Sequence, residues 1–146
     1  MIKPVDLIGA WNLERFTIRV DGRPPLYPFG EDAHGMLVYA ASGHMSAVLS
    51  HGTRAPLGVS RLENARRATS QQRAEAFDSY LSYAGTWRLD GETVAHTVTL
   101  SLTPDAVGAR NIRHARIEQE RLVLTYQITP QSGRTRFYEL IWRKLT

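Results

Sequence analysis

The sequence predicts an all-β protein, an eight-stranded antiparallel up-and-down β-barrel with one inserted helix. Three observations lead to this fold class. Eight segments of the 146-residue chain alternate apolar and polar side chains, as strands with one buried face do. Nearly all of them follow one another through short connections, and sequential antiparallel strands of this number close into a barrel. Only one segment has the spacing of a helix.

The predicted strands each show a readable alternation of faces. In the first strand the apolar residues change parity, because Trp11 and Leu13 share one face while Phe16 and Ile18 fall on the other. A β-bulge near Glu14 would reconcile the two halves. In chain order the strands are predicted at residues 9–20, 36–40, 44–50, 83–90, 93–102, 110–118, 121–128 and 135–144.

The remaining segments read as a loop, an irregular excursion and the helix. Residues 23–35 contain three prolines and form a loop long enough to cap a cavity. Residues 51–70 are polar and basic. From Ser70 to Ala84 the apolar residues fall at helical intervals, with Ser70 as N-cap. A two-sheet sandwich is the alternative architecture, and only the segment 50–83 could supply its crossover.

Composition narrows the class of protein. The length predicts one domain spanning residues 1–146. The chain has no cysteine, no long apolar run and no export signal, so we expect a cytoplasmic protein without disulfides or membrane spans. Its formal charge of +4 is spread along the sequence, which disfavours nucleic acid as a partner. The five histidines lack the spacing of metal ligands and phosphate-binding loops are absent, so no metal and no cofactor are expected.

Two polar residues stand among apolar strand residues. His96 shares its predicted face with four aliphatic side chains, which makes it either a hydrogen-bonded core histidine or a titratable group inside a chamber. In the strand 110–118, the inward face contains either Arg113 or His114. We favour Arg113, because the other face would bury a histidine and an arginine beside one isoleucine.

Several segments together resemble the bacterial lipocalin-like domain family. They are GAWNL, GMLVYAASGHMSAVL, FDSYLSYAGTW, VAHTVTLSLTP and ELIWRK, which span almost the whole chain in the expected order. The resemblance implies a calycin-like barrel with a ligand pocket and with Trp11 at its closed end. Some members of such families are cofactor-free cyclases of natural-product pathways, and there is no universal catalytic signature. The positions that match are the polar His96 and Arg113 and the aromatic Tyr39 and Tyr83.

Two functions follow as hypotheses. The first is a cofactor-free cyclase or isomerase acting on a hydrophobic, carbonyl-bearing molecule of polyketide or terpenoid type, with His96, Arg113 and Tyr126 as catalytic residues. The second is a carrier that only binds such a molecule. The expected partner is thus a hydrophobic small molecule, and the sequence leaves room for a homodimer. The predicted ligand-binding residues are Tyr39, Met45, Leu49, Tyr83, Trp87, Val98, Leu100, Leu124, Tyr138 and Leu140.

Overall fold

In a computed structural model, which describes residues 1–146, the chain forms a closed barrel of eight antiparallel strands. Each strand pairs with the next along the chain, and the first pairs with the last. The predicted fold class is therefore confirmed. The strands are β1 (Gly9–Arg19), β2 (His34–Tyr39), β3 (His44–Ser50), β4 (Tyr80–Asp90), β5 (Thr93–Ser101), β6 (Arg110–Glu118), β7 (Arg121–Ile128) and β8 (Arg136–Lys144).

Two α-helices accompany the barrel, α1 (Pro4–Leu7) before β1 and α2 (Ser70–Asp78) between β3 and β4. The expectation of a helix from Ser70 to Ala84 was wrong at its end, because the chain enters β4 at Tyr80 and pairs with β3. The N-cap is Thr69, whose side-chain oxygen accepts a hydrogen bond from the backbone of Gln72 at 3.1 Å. Short 3-10 helices span Leu62–Arg67 and Pro104–Ala106. No helix is long and apolar enough to cross a membrane.

A bulge in β1 shifts its register against β8 between Leu13 and Arg15, at the predicted place. This shift lets the apolar residues on both sides of it point inward. Trp11, Leu13 and Phe16 are accordingly all buried.

A second bulge, in β5, has no sequence signal. Gly85 lies opposite Val98 whereas Ala84 lies opposite Leu100, so Thr99 is an extra residue in β5. The two strands approach closely here, since a Cβ atom on Gly85 would lie 1.8 Å from the carbonyl oxygen of Thr97. The extra residue reverses the parity of the end of β5.

The two ends of the barrel differ. At one end the strands are joined by tight turns, and α1 closes the opening with the buried Leu7. The indole nitrogen of Trp11 donates a hydrogen bond to the Leu7 carbonyl oxygen at 2.9 Å. The long connections, including residues 20–33 and 51–79, all lie at the other end. There Phe29 folds over the barrel and stacks on Phe16, with ring centroids 6.2 Å apart.

Candidate ligand-binding site

The interior of the barrel is packed unevenly. Side chains that face inward from β2 and β3, such as Leu37 and Leu49, are buried. Inward-facing side chains of β4, β6, β7 and β8 toward the end with the long connections are only half-buried. The accessible part of the interior therefore lies on this side, and we call it the chamber. Its residues are Tyr83, Asn111, Arg113, Tyr126 and Tyr138.

His96 is held between two tyrosines from neighbouring parts of the wall. Its Nε2 lies 2.6 Å from the hydroxyl oxygen of Tyr39, and its Nδ1 lies 2.8 Å from that of Tyr83. His96 is 1% exposed, so neither ring nitrogen has access to water. We call Tyr39, His96 and Tyr83 the histidine triad. It connects the buried β2 wall to the chamber through one imidazole.

The triad is uncharged at neutral pH. Burial and, to a smaller extent, the positive charge of Arg113 together lower the pKa of His96 to about 3. Burial also raises the pKa of both Tyr39 and Tyr83, an effect that Arg113 partly offsets. The triad therefore consists of a neutral imidazole and two protonated phenols, which are joined by hydrogen bonds and carry no extra proton.

Arg113 brings the only interior positive charge to the chamber. Its guanidinium carbon lies 3.7 Å from the centroid of the Tyr126 ring, and one of its nitrogens donates to the Ile112 carbonyl oxygen at 3.1 Å. The ion pairs of the protein all involve other cations. The charge of Arg113 thus has no carboxylate within 4 Å.

An aromatic row runs from the long connections to Arg113. The Tyr126 and Tyr138 rings stack with centroids 4.4 Å apart and an interplanar angle of 12°. The ring centroid of Tyr138 in turn lies 6.4 Å from that of Phe16, and the Phe16 ring stacks with that of Phe29. Burial raises the pKa of Tyr126 to about 12, so its hydroxyl stays protonated at neutral pH. The Tyr126 ring is thus enclosed between the guanidinium of Arg113 on one face and the Tyr138 ring on the other.

The other predicted site residues fall into three groups. Trp87 packs against Tyr39 with ring centroids 4.8 Å apart, and its indole nitrogen donates to the Ala40 carbonyl oxygen. Five aliphatic residues point inward but are so buried that they fill the space around the chamber. They are Met45, Leu49, Val98, Leu124 and Leu140. Leu100 is a correction, since the bulge at Thr99 turns it outward, where it is 69% exposed.

Two residues of the site, Asn111 and Phe29, were not predicted from the sequence. Asn111 lies opposite His96 in the register of β5 and β6 and shares the inward face with Arg113. The alternation that places Arg113 inward could have identified it. Phe29 lies in a loop without periodicity and carried no signal. Trp142 belongs instead to the packed interior, opposite Leu13 and Leu122, where it is 2% exposed and its indole nitrogen has no hydrogen-bond partner.

Two further features lie outside the chamber. A depression of about 870 Å³ is present at the closed end, between α1 and the last residues of β8, with Trp11 and Lys144 among its walls. It is separated from the triad by the packed part of the interior. No group of three or more His, Cys, Asp or Glu side chains is arranged to hold a metal ion.

A closed barrel of eight antiparallel strands belongs to the class of β-barrels whose interior is either filled by side chains or holds one small ligand. Within this class, the chain belongs to the lipocalin-like domain family, whose model matches residues 8–145. A comparison with curated proteins finds no match. Membership of this family suggests small-molecule binding.

Proposed function

We propose that the barrel binds a hydrophobic, carbonyl-bearing molecule of polyketide or terpenoid type and promotes its cyclisation or isomerisation without a cofactor. The observation that carries this proposal is Arg113, which is half-buried in the chamber without a carboxylate partner. A cation in such surroundings interacts strongly with a carboxylate or a polarised carbonyl oxygen, because the low local dielectric weakens screening.

The neighbouring side chains would contact both the oxygen and the hydrocarbon portion of such a molecule. The hydroxyl of Tyr83 and the guanidinium of Arg113 are the polar groups that would contact the oxygen. Tyr126 would act through Arg113, since its ring face holds the guanidinium. The edges of the stacked Tyr126 and Tyr138 rings would border the hydrocarbon portion.

The proposed chemistry is redox-neutral. In a ring closure of the aldol type, an enol carbon forms a bond with a carbonyl carbon. The enol oxygen loses its proton, and the carbonyl oxygen gains one. The atoms and electrons balance within the substrate, so no oxidant or reductant is needed. The barrel would contribute by holding the reacting atoms close together and by stabilising negative charge on oxygen.

One observation favours the alternative of a carrier. Both ring nitrogens of His96 are already hydrogen-bonded, and its pKa is lowered to about 3, so the imidazole is a weak base. A protein that only binds its ligand needs no base. In the enzyme, His96 would act through Tyr83, whose hydroxyl oxygen lies 2.8 Å from Nδ1, rather than as a base itself.

Binding is tested first, by isothermal titration with polyketide-like ketones and medium-chain fatty acids. Micromolar to millimolar binding of a carbonyl or carboxylate compound, lost in Arg113→Met, is the expected result. That substitution should weaken binding by about 1.5–3 kcal/mol through loss of a charge-assisted hydrogen bond. Arg110→Met on the same strand is the matched control, because Arg110 is exposed. If none of the compounds binds, both functions are refuted.

The enzyme and the carrier are separated by His96→Phe. In a cyclase or isomerase this change should lower the rate of conversion by about two to four orders of magnitude, the usual contribution of a positioned acid or base, because Tyr83 loses the imidazole that orients its hydroxyl. Ligand affinity should change little. In a carrier, His96→Phe leaves affinity unchanged and the ligand is recovered unaltered after incubation. A cyclase whose rate is insensitive to this change would owe its acceleration to substrate folding alone.

A further inference from the structure

The hydroxyl of Tyr39 has one hydrogen-bond partner, Nε2 of His96. Tyr39 is 1% exposed, so this hydroxyl cannot turn to water. A neutral imidazole has one N–H donor and one bare nitrogen that accepts. If Nε2 carried the proton, it would donate to Tyr39, and the hydrogen of the Tyr39 hydroxyl would be buried without an acceptor. Folded proteins avoid that arrangement, so Tyr39 donates and Nε2 accepts.

The direction of the second hydrogen bond follows from the first. Because Nε2 of His96 is bare, Nδ1 carries the ring proton and donates to the oxygen of Tyr83 over 2.8 Å. Tyr83 therefore uses its oxygen to accept from His96. Its own hydroxyl hydrogen has no partner within the protein, and Tyr83 is half-buried at the chamber. This hydrogen is available to whatever occupies the chamber.

We propose that the histidine triad is polarised from Tyr39 through His96 to Tyr83, so that Tyr83 donates a hydrogen bond to an oxygen of the ligand. This inference rests on the function proposed above and narrows its ligand to carboxylates, ketones and enolates. Alkylammonium ions are disfavoured, because Arg113 already places an unpaired positive charge in the chamber.

The charge of Arg113 supports the same ligand class. This charge reaches all three members of the triad. It partly offsets the rise in pKa that burial causes at Tyr39 and Tyr83, and it adds to the fall at His96. An oxygen bound by the Tyr83 hydroxyl therefore lies in the field of a cation. A cationic ligand at the same place would be repelled.

The polarity is tested by nuclear magnetic resonance on protein labelled with ¹⁵N-histidine. The imidazole of His96 is identified by its Overhauser contacts to two tyrosine rings. We expect the Nδ1 resonance in the range of protonated nitrogens and the Nε2 resonance in the range of bare nitrogens. In Tyr39→Phe, only Nε2 should lose its hydrogen bond. The reverse assignment, with the proton on Nε2, would overturn the proposal.

The ligand class is tested with three naphthalenes of equal ring size. Wild-type protein should bind 2-naphthoate, and Tyr83→Phe should weaken that binding roughly tenfold or more, as expected for a hydrogen bond to a charged group. The affinity for 2-methylnaphthalene should stay the same in both proteins. The third compound, 2-(aminomethyl)naphthalene, should bind wild type more weakly than either. Tyr80→Phe is the matched control, because Tyr80 lies on the same strand with the opposite parity.

The outcomes separate this inference from the function on which it rests. If 2-naphthoate binds wild type and Tyr83→Phe equally well, the inference is overturned while the proposed function survives. If wild type binds none of the three compounds, the proposed function fails, and the ligand class fails with it. The resonance assignment tests the polarity of the triad in either case, since it needs no ligand.

Discussion

The guanidinium carbon of Arg113 lies over the ring of Tyr126, 3.7 Å from its centroid, and the guanidinium has no carboxylate partner. An aromatic face thus holds this cation in the chamber without neutralising it. Such contacts contribute about 0.5–2 kcal/mol. Tyr126→Leu should therefore weaken binding of 2-naphthoate by about twofold to thirtyfold, because Arg113 loses its support. Tyr126→Phe keeps the ring face and should bind as wild type does. Equal losses in the two variants would mean that the Tyr126 hydroxyl contacts the ligand directly.

Stability should fall in acid because of His96. Its pKa in the folded protein is about 3, below the ordinary 6.5. As the pH falls from about 6.5 toward 3, His96 binds a proton in the unfolded chain but not in the folded protein. Proton binding therefore stabilises the unfolded state relative to the folded one. The free energy of unfolding should drop over this window by at most about 5 kcal/mol from this group.

The measurement is urea denaturation at several pH values between 7.5 and 4. His96→Gln should show a shallower decline than wild type, although it starts from a lower stability. His114→Gln serves as the control, since His114 is exposed and its side chain has only Glu92 as a hydrogen-bond partner. A wild-type decline no steeper than that of His96→Gln would contradict the buried, neutral imidazole.

The triad should show strong energetic coupling on its buried side. Removing either partner of the bond between Tyr39 and His96 leaves a buried polar group unsatisfied, which costs about 1–3 kcal/mol. A double-mutant cycle of Tyr39→Phe and His96→Phe should therefore give a coupling energy of about 1 kcal/mol or more in urea denaturation. The cycle with Tyr83→Phe should give less, because the Tyr83 hydroxyl can turn to water. A cycle with Tyr80→Phe should be near zero.

Gly85 should tolerate no side chain. A Cβ atom there would lie 1.8 Å from the carbonyl oxygen of Thr97 in the neighbouring strand, so Gly85→Ala must push β4 and β5 apart. We expect a loss of about 1–3 kcal/mol in thermal or urea unfolding. Thr99→Ala changes the same bulge without a clash and should stay within about 0.5 kcal/mol of wild type. A harmless Gly85→Ala would show that the bulge can relax.

The turn between β6 and β7 stores strain that a glycine would remove. Gln119 and Glu120 have φ angles of 48° and 65°, a left-handed conformation that side chains disfavour. Glu120→Gly should raise the free energy of unfolding by about 1 kcal/mol. The same substitution at Glu92, in the turn between β4 and β5, should give no gain, because its φ is not positive. Equal effects at both turns would rule out this explanation.

The sequence predicts the barrel well because strand alternation and turn residues are local signals. The bulge near Glu14 left a trace in the parity of its neighbours, so it could be placed correctly. The bulge at Thr99 left none, since Val98 and Leu100 are both apolar and the pattern continues unbroken through it. For this reason Leu100 was wrongly predicted to face the interior. The alternation of β5 nevertheless places His96 on the inward face.

The three members of the triad were each predicted as site residues, but their contacts with one another could not be predicted. Tyr39 and His96 are 57 residues apart, and their contact depends on the stagger of strands around the closed barrel. Alternation tells which face a residue is on, but it does not tell at which height along the barrel it meets a residue of another strand. The role of Phe29 was hidden for a related reason, because a loop has no periodicity to indicate a buried ring.

The pairing of β1 with β8 has a kinetic consequence for any bound molecule. With every strand hydrogen-bonded on both sides, the wall has no edge that could open like a door. The end closed by Leu7 and Trp11 is equally sealed. A molecule in the chamber can therefore leave only through the end with the long connections, part of which Phe29 covers by resting on Phe16 and against His51. Exchange of the molecule then depends on that one end of the barrel, independently of the affinity that Arg113 and the histidine triad provide.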